Sequence, residues 1–170
     1  MWAQSKISKL SASLSLLLYA LIVFGTYRWQ VQIWLPLFAL VSVLYVQLNL
    51  SSLSWKNLYG LGVLFRIIML VSLPHLSDDY FRFLWDGELQ LQGINPYDLK
   101  PTEVFERGII KDSAWFNTLN SPEYYTVYPP VCQAVFTFGA AIARIDWNLG
   151  VLGLKLLFLL VEIGCLLYTS

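Results

Sequence analysis

Two carboxylates stand side by side at Asp78 and Asp79, with an arginine at Arg82 and a third carboxylate at Asp86. On an α-helix, at about 100° per residue, Asp79, Arg82 and Asp86 fall within about 60° of one another. Such a face can do several things. A carboxylate within hydrogen-bond reach of a hydroxyl can take its proton as a general base. A guanidinium suits the oxygens of a phosphate. The three carboxylates are also oxygen ligands of the kind that Mg²⁺ or Mn²⁺ takes, and the sequence leaves that open. The plain alternative is a salt-bridged surface helix, where each pair contributes about 0.2–0.5 kcal/mol.

The element that must carry these residues is legible. Ser77 suits an N-cap, and acids in the first turn suit the helix dipole. The spacing predicts a helix from Asp78 to about Gln92, ended by Gly93 and followed by a turn at Asn95-Pro96. Phe81, Leu84, Trp85 and Leu89 gather on its other side. That apolar face would lie on the bilayer or on neighbouring spans. Further on, Val104 to Lys111 and Ser113 to Leu119 could form two short helices. Aromatic residues crowd the region: Tyr80, Phe83 and Tyr97 early, then Tyr124, Tyr125 and Tyr128 before Pro129-Pro130. Aromatic rings serve sugar faces and interfacial anchoring alike.

The rest of the chain is apolar. Of 170 residues, 57% are hydrophobic and 13% charged, where a soluble domain carries about 25% charge. Lys+Arg equals Asp+Glu at 11 each, with no basic run, which argues against a nucleic-acid partner. From His75 to Pro129 there are nine acids and four bases, so the acidic charge is concentrated in one stretch. The expectation is an all-α, polytopic membrane protein. Its about five spans would cover residues 10–27, 31–50, 57–76, 129–144 and 148–169, with one large extracytoplasmic loop over 77–128. The first run is long for a signal-peptide core and has no clear small-x-small cleavage site. Lysine and arginine density places the N-terminus in the cytoplasm and the acidic loop outside.

Arg66, Lys155 and Glu162 fall inside the expected spans. Charges at mid-helix cost at least about 2.5–3.5 kcal/mol and tend to face protein or water. Lys155 could instead snorkel to the interface. Arg66 sits mid-span and is expected to face a cavity or an anionic partner. Cys132 and Cys165 have no metal or CxxC spacing and read as small apolar residues. His75, alone at the outer interface, reads as structural or solvated.

Four pieces occur in order: Asp78-Asp79-Tyr80, then Phe83-Leu84-Trp85-Asp86-Gly87, then Gly93-Ile94-Asn95-Pro96-Tyr97, then Tyr128-Pro129-Pro130. In that order, behind a membrane span, they resemble the glycosyltransferase C superfamily. They are most similar to the polyprenol-phosphate-mannose-dependent mannosyltransferases of bacteria, and similar also to the catalytic subunit of GPI mannosyltransferase I. The resemblance covers about Arg66 to Pro130. It implies a multi-pass enzyme of the bacterial inner membrane. Such an enzyme passes a sugar, mannose in the nearest members, from a polyprenyl-phosphate donor to a glycan or lipid acceptor hydroxyl outside, with inversion. It implies that Asp79 is the general base, with Asp78 the next candidate. Asp86, Asn95 and Tyr97 match further motif positions, and Tyr128 opens the last piece. Apart from the resemblance, Arg82 on the helical face, or Arg66, is the candidate to meet the carrier phosphate, since a guanidinium suits phosphate oxygens. Members of the superfamily run to several hundred residues, so the expectation is that this chain corresponds to the N-terminal part of a longer enzyme.

Two other readings follow from the same residues. Charges within spans would suit a transporter or channel, which should show helices broken at mid-membrane. A non-catalytic membrane scaffold would use the loop only to bind partners.

Overall fold

The computed structural model describes residues 2–50 and 54–169. Within them every regular element is a helix, in the order α1 (Trp2–Gly25), α2 (Val31–Asn49), α3 (Trp55–Val71), α4 (Asp79–Leu91), α5 (Pro101–Glu106), α6 (Ser113–Phe116), α7 (Pro130–Ala143) and α8 (Trp147–Thr169). The chain divides into two compact units, Met1–Leu76 and Ser77–Ser170.

In the first unit α1 packs on α2 and on α3. The chain turns between α1 and α2 at Tyr27–Gln30, with the Gln30 amide donating to Tyr27 O at 2.9 Å. Tyr27 stacks on Trp29 and meets His75 edge-on, so His75 has a packing role here. Ser54 caps α3 by accepting from the Asn57 amide.

Three helices are long and apolar enough to cross a membrane: α1 over Ile7–Gly25, α2, and α8 over Trp147–Tyr168. Of the about five expected spans, these three are long and apolar enough. Helix α3 has 17 residues and α7 has 14, so α7 is about 21 Å long against a bilayer core of about 30 Å. The apolar run over 129–144 looked uniform, but it contains Gln133, which is buried against protein rather than lipid.

The second unit is built around α4, which packs along α7 and touches α8. Leu84, Phe136, Ala140, Val151 and Leu154 form one core between these helices. Trp85, Leu89, Val104, Ile110 and Leu119 form another, under α5 and α6. A Val, Leu, Ile or Phe side chain among them stabilises by about 1.5–3 kcal/mol when fully buried. The apolar face of α4 is therefore spent on protein. Gly87 permits the close approach of α4 to α7: a Cβ there would lie 2.2 Å from Phe136 O. Gly93, at φ 77°, turns the chain after α4, a backbone conformation in which L side chains are strained.

Three local expectations shift. Asp78, not Ser77, holds the N-cap position of α4 and makes no side-chain cap hydrogen bond. The helix expected at Val104 begins earlier, because Pro101 fits its first turn and Glu103 caps the Lys100 amide at 2.8 Å. Helix α6 stops at Phe116, and its cap is Asp112, which accepts from the Trp115 amide at 3.0 Å.

Candidate functional site

Asp79 begins α4 and is half-buried. Its carboxylate is held on both sides. Ser77 Oγ donates to Oδ2 at 2.9 Å, and Asn120 Nδ2 donates to Oδ1 at 2.7 Å. A carboxylate has about four acceptor positions, so about two remain for a substrate or water. Asp78 is half-buried beside it. Burial raises the Tyr80 phenol above its usual value, and the negative charge of Asp78 adds to that.

Arg82 and Asp86 lie one turn apart and are almost sealed from solvent, at 4% and 0% exposure. Arg82 Nε meets Asp86 Oδ1 at 2.8 Å. Its Nη1 donates to Ser121 O and its Nη2 to Tyr124 O, both at 3.0 Å. Gln133 of α7 donates to Asp86 Oδ2 at 3.3 Å and to Thr126 Oγ1 at 2.9 Å. Gln90 donates to the Gln133 side chain at 2.9 Å. The polar face of α4 was expected to meet water. Instead the segment from Asn120 to Tyr128 lies over it as a strap, with Arg82 as the tie.

This geometry gives Arg82 and Asp86 a structural task. Every guanidinium nitrogen of Arg82 already donates to a protein oxygen. Both oxygens of Asp86 are engaged by Arg82 and Gln133. Asp78, Asp79 and Asp86 accordingly do not gather into one oxygen cage, and among the described residues no three acidic, His or Cys side chains converge as a metal site.

Tyr128 sits at the end of the strap, half-buried against Phe83 and Phe136. Burial pushes its phenol up, and the charge of Asp79 pushes it further; Arg82 opposes this and Asp86 reinforces it. The Tyr128 ring is thus in the electrostatic field of the Asp79 carboxylate. Tyr97 donates its hydroxyl to Tyr128 O. Asn95 makes the turn before it, accepting from the Tyr97 amide at 3.2 Å and donating to Asp98 at 2.9 Å. Arg66 belongs to the first unit, half-buried in α3, with Nη1 donating to Gly62 O at 3.0 Å.

The structure thus brings Asp79, Arg82, Asp86, Tyr97 and Tyr128 into one region and adds Asn120, Ser121, Thr126, Gln90 and Gln133. Sequence reasoning passes over these five. The available signal is Gln133, a lone amide in an otherwise apolar run, which needs a buried partner. No family model matches the chain, and no curated protein or solved structure matches it either.

Proposed function

We propose that this chain carries the acidic loop of a membrane glycosyltransferase that uses a polyprenyl-phosphate sugar as donor. Asp79 is the general base that takes the proton of an acceptor hydroxyl on a glycan or lipid as it attacks the anomeric carbon, with inversion. Mannose is the favoured sugar. The supporting observation is Asp79 itself: a half-exposed carboxylate, fixed by two donors, whose charge reaches the Tyr128 phenol. In the sequence it follows an apolar segment after only two polar residues. A base so placed can serve a donor whose tail lies in lipid and whose head lies in water. Phosphate recognition falls to groups other than Arg82, whose guanidinium nitrogens are all engaged. The proposed setting is a bacterial plasma membrane with a cytoplasmic N-terminus. Helix α3 would add a fourth crossing, whereas α7 lies along α4, with Arg144 at its end bonded to Glu88. A divalent cation, Mg²⁺ or Mn²⁺, would have to be held by Asp78 and Asp79 together with donor phosphate oxygens.

The transporter reading asks for helices broken at mid-membrane. Helices α1, α2 and α8 run unbroken through their apolar windows, so none of the three shows that break.

The test is transfer of label from polyprenyl-phosphate [¹⁴C]mannose by the complete protein in its own membranes. Asp79→Asn should lower the rate by about 10²–10⁴-fold, the usual contribution of a general base. Unchanged rates in both Asp79→Asn and Asp78→Asn would overturn the proposal.

A further inference from the structure

The geometry points to Asn120 as the positioning residue of Asp79, an inference that rests on Asp79 being the base. Asn120 and Asp79 are 41 residues apart, yet the amide nitrogen lies 2.7 Å from Asp79 Oδ1. The orientation of the amide is set by the carboxylate, which only accepts, so the nitrogen must face Asp79. Asn120 Oδ1 then accepts from Ser121 Oγ at 3.0 Å.

The backbone holds Asn120 in place as firmly as its side chain holds Asp79. Its neighbour Ser121 accepts from Arg82 Nη1, and Arg82 is locked by Asp86 within α4. The next residue, Pro122, accepts from the Thr102 amide at 3.2 Å. Asn120 is therefore tied to the same helix that begins with Asp79. Its own side chain is exposed, so it contributes little packing, and the fold does not need its amide group for burial.

With Ser77 on Oδ2 and Asn120 on Oδ1, the carboxylate cannot rotate about its Cβ–Cγ bond without losing a donor. A base must meet its hydroxyl at about 2.6–3.2 Å along a lone pair. Fixing the carboxylate plane beforehand removes a rotational cost from the step. Asn120 does not touch the reacting atoms and acts only through Asp79.

The experiment compares Asn120→Ala, Asn120→Asp, Asp79→Asn and the double variant Asn120→Ala/Asp79→Asn, each as complete protein in membranes. The probe is polyprenyl-phosphate [¹⁴C]mannose, with kcat and donor KM measured separately and unfolding midpoints measured in detergent. Asn120→Ala should lower kcat about ten- to a hundredfold, the range for one hydrogen bond to a charged group. Donor KM should stay within about twofold and the unfolding midpoint should hold. Asn120→Asp has the same shape but no donor, and should lose at least as much. The double variant should be no slower than Asp79→Asn alone, since Asn120 has nothing left to position. If Asp79→Asn is inactive but Asn120→Asp turns over at the wild-type rate, Asn120 is not a positioning residue, while Asp79 stands. The role is also overturned if both Asn120 variants lose KM, kcat and thermal stability together, because Asn120 is then a structural prop. If Asp79→Asn is fully active, the base assignment and the role of Asn120 fall together.

Discussion

Glu88 of α4 accepts two hydrogen bonds from the Arg144 guanidinium at the end of α7, 3.0 Å from Nε and 2.8 Å from Nη2. Burial pushes the Glu88 carboxyl up, but the bonds from Arg144 and Gln92 outweigh it, and its pKa lies below the ordinary value of 4.5. The paired guanidinium is raised in turn by the Glu88 hydrogen bonds. A depressed carboxylate stabilises the fold above its unfolded pKa, and that contribution fades as pH falls through the folded value. Glu88→Gln should therefore unfold at a slightly lower temperature than wild type near pH 7. The gap should close below the ordinary glutamate range. Half of the Arg144 side chain is exposed, at 51%, so salt should also narrow the gap. A gap independent of pH and salt would mean that the ion pair is not what joins these helices.

The sequence marked α4 to within a residue at each end, because its cues are local. An acidic first turn, a period near 3.6 and Gly93 after the last turn all lie within one stretch of chain. The apolar segments were legible for the same reason, and α8 matches its expected run closely. What covers the polar face of α4 was not legible. Arg82 reaches Ser121 and Tyr124 across 39 and 42 residues, and no periodicity carries that information. The length of α7 was hidden as well: hydropathy counts apolar residues but does not say whether lipid or protein covers them. Asn120 carried no signal, since an asparagine before Ser-Pro reads as an ordinary loop.

The buried pair of Arg82 and Asp86 makes a sharp prediction about stability. Arg82→Met leaves the Asp86 carboxylate sealed without its partner, and breaking a buried ion pair costs about 3–5 kcal/mol. Replacing both, as Arg82→Met/Asp86→Leu, removes the stranded charge. The double variant should be more stable than the single one yet below wild type, because the carbonyls of Ser121 and Tyr124 still lose their donor. Unfolding in detergent micelles checks the order. A double variant less stable than Arg82→Met would show that the stranded Asp86 charge is not the main cost of losing Arg82.

Gly87 and Gly60 should answer alanine in opposite directions. A Cβ at Gly87 would meet Phe136 O at 2.2 Å and Phe136 C at 2.5 Å, both backbone atoms that cannot swing aside. Gly87→Ala must push α4 away from α7, and such overpacking costs about 1–3 kcal/mol or more. Gly60, inside α3, has nothing within 4 Å of its would-be Cβ. Gly60→Ala should gain about 0.5–1 kcal/mol from helix propensity alone. Thermal unfolding of the two variants side by side is the measurement. Equal effects would mean that α4 and α7 have room to part without loss.

The outer side of α7 carries an unbroken apolar stripe. Val131, Ala134, Phe138, Ala141 and Ile145 are all exposed, at alternating steps of three and four that keep them on one helical face. The stripe continues past the N-terminus of the helix to Val127, which is 84% exposed. Helix α7 also packs against α8, a helix long and apolar enough to cross a membrane. Lipid around α8 would therefore reach the exposed face of its neighbour as well. Spin labels at Phe138→Cys and Ala134→Cys, with Cys132 and Cys165 replaced by Ser, should be relaxed by oxygen more than by a water-soluble nickel complex in vesicles. A label at Glu123→Cys, on the exposed strap, should show the reverse. If the nickel complex reaches Phe138, the stripe faces water. If neither agent does, another protein surface covers it, and α7 is an interior helix of a larger assembly.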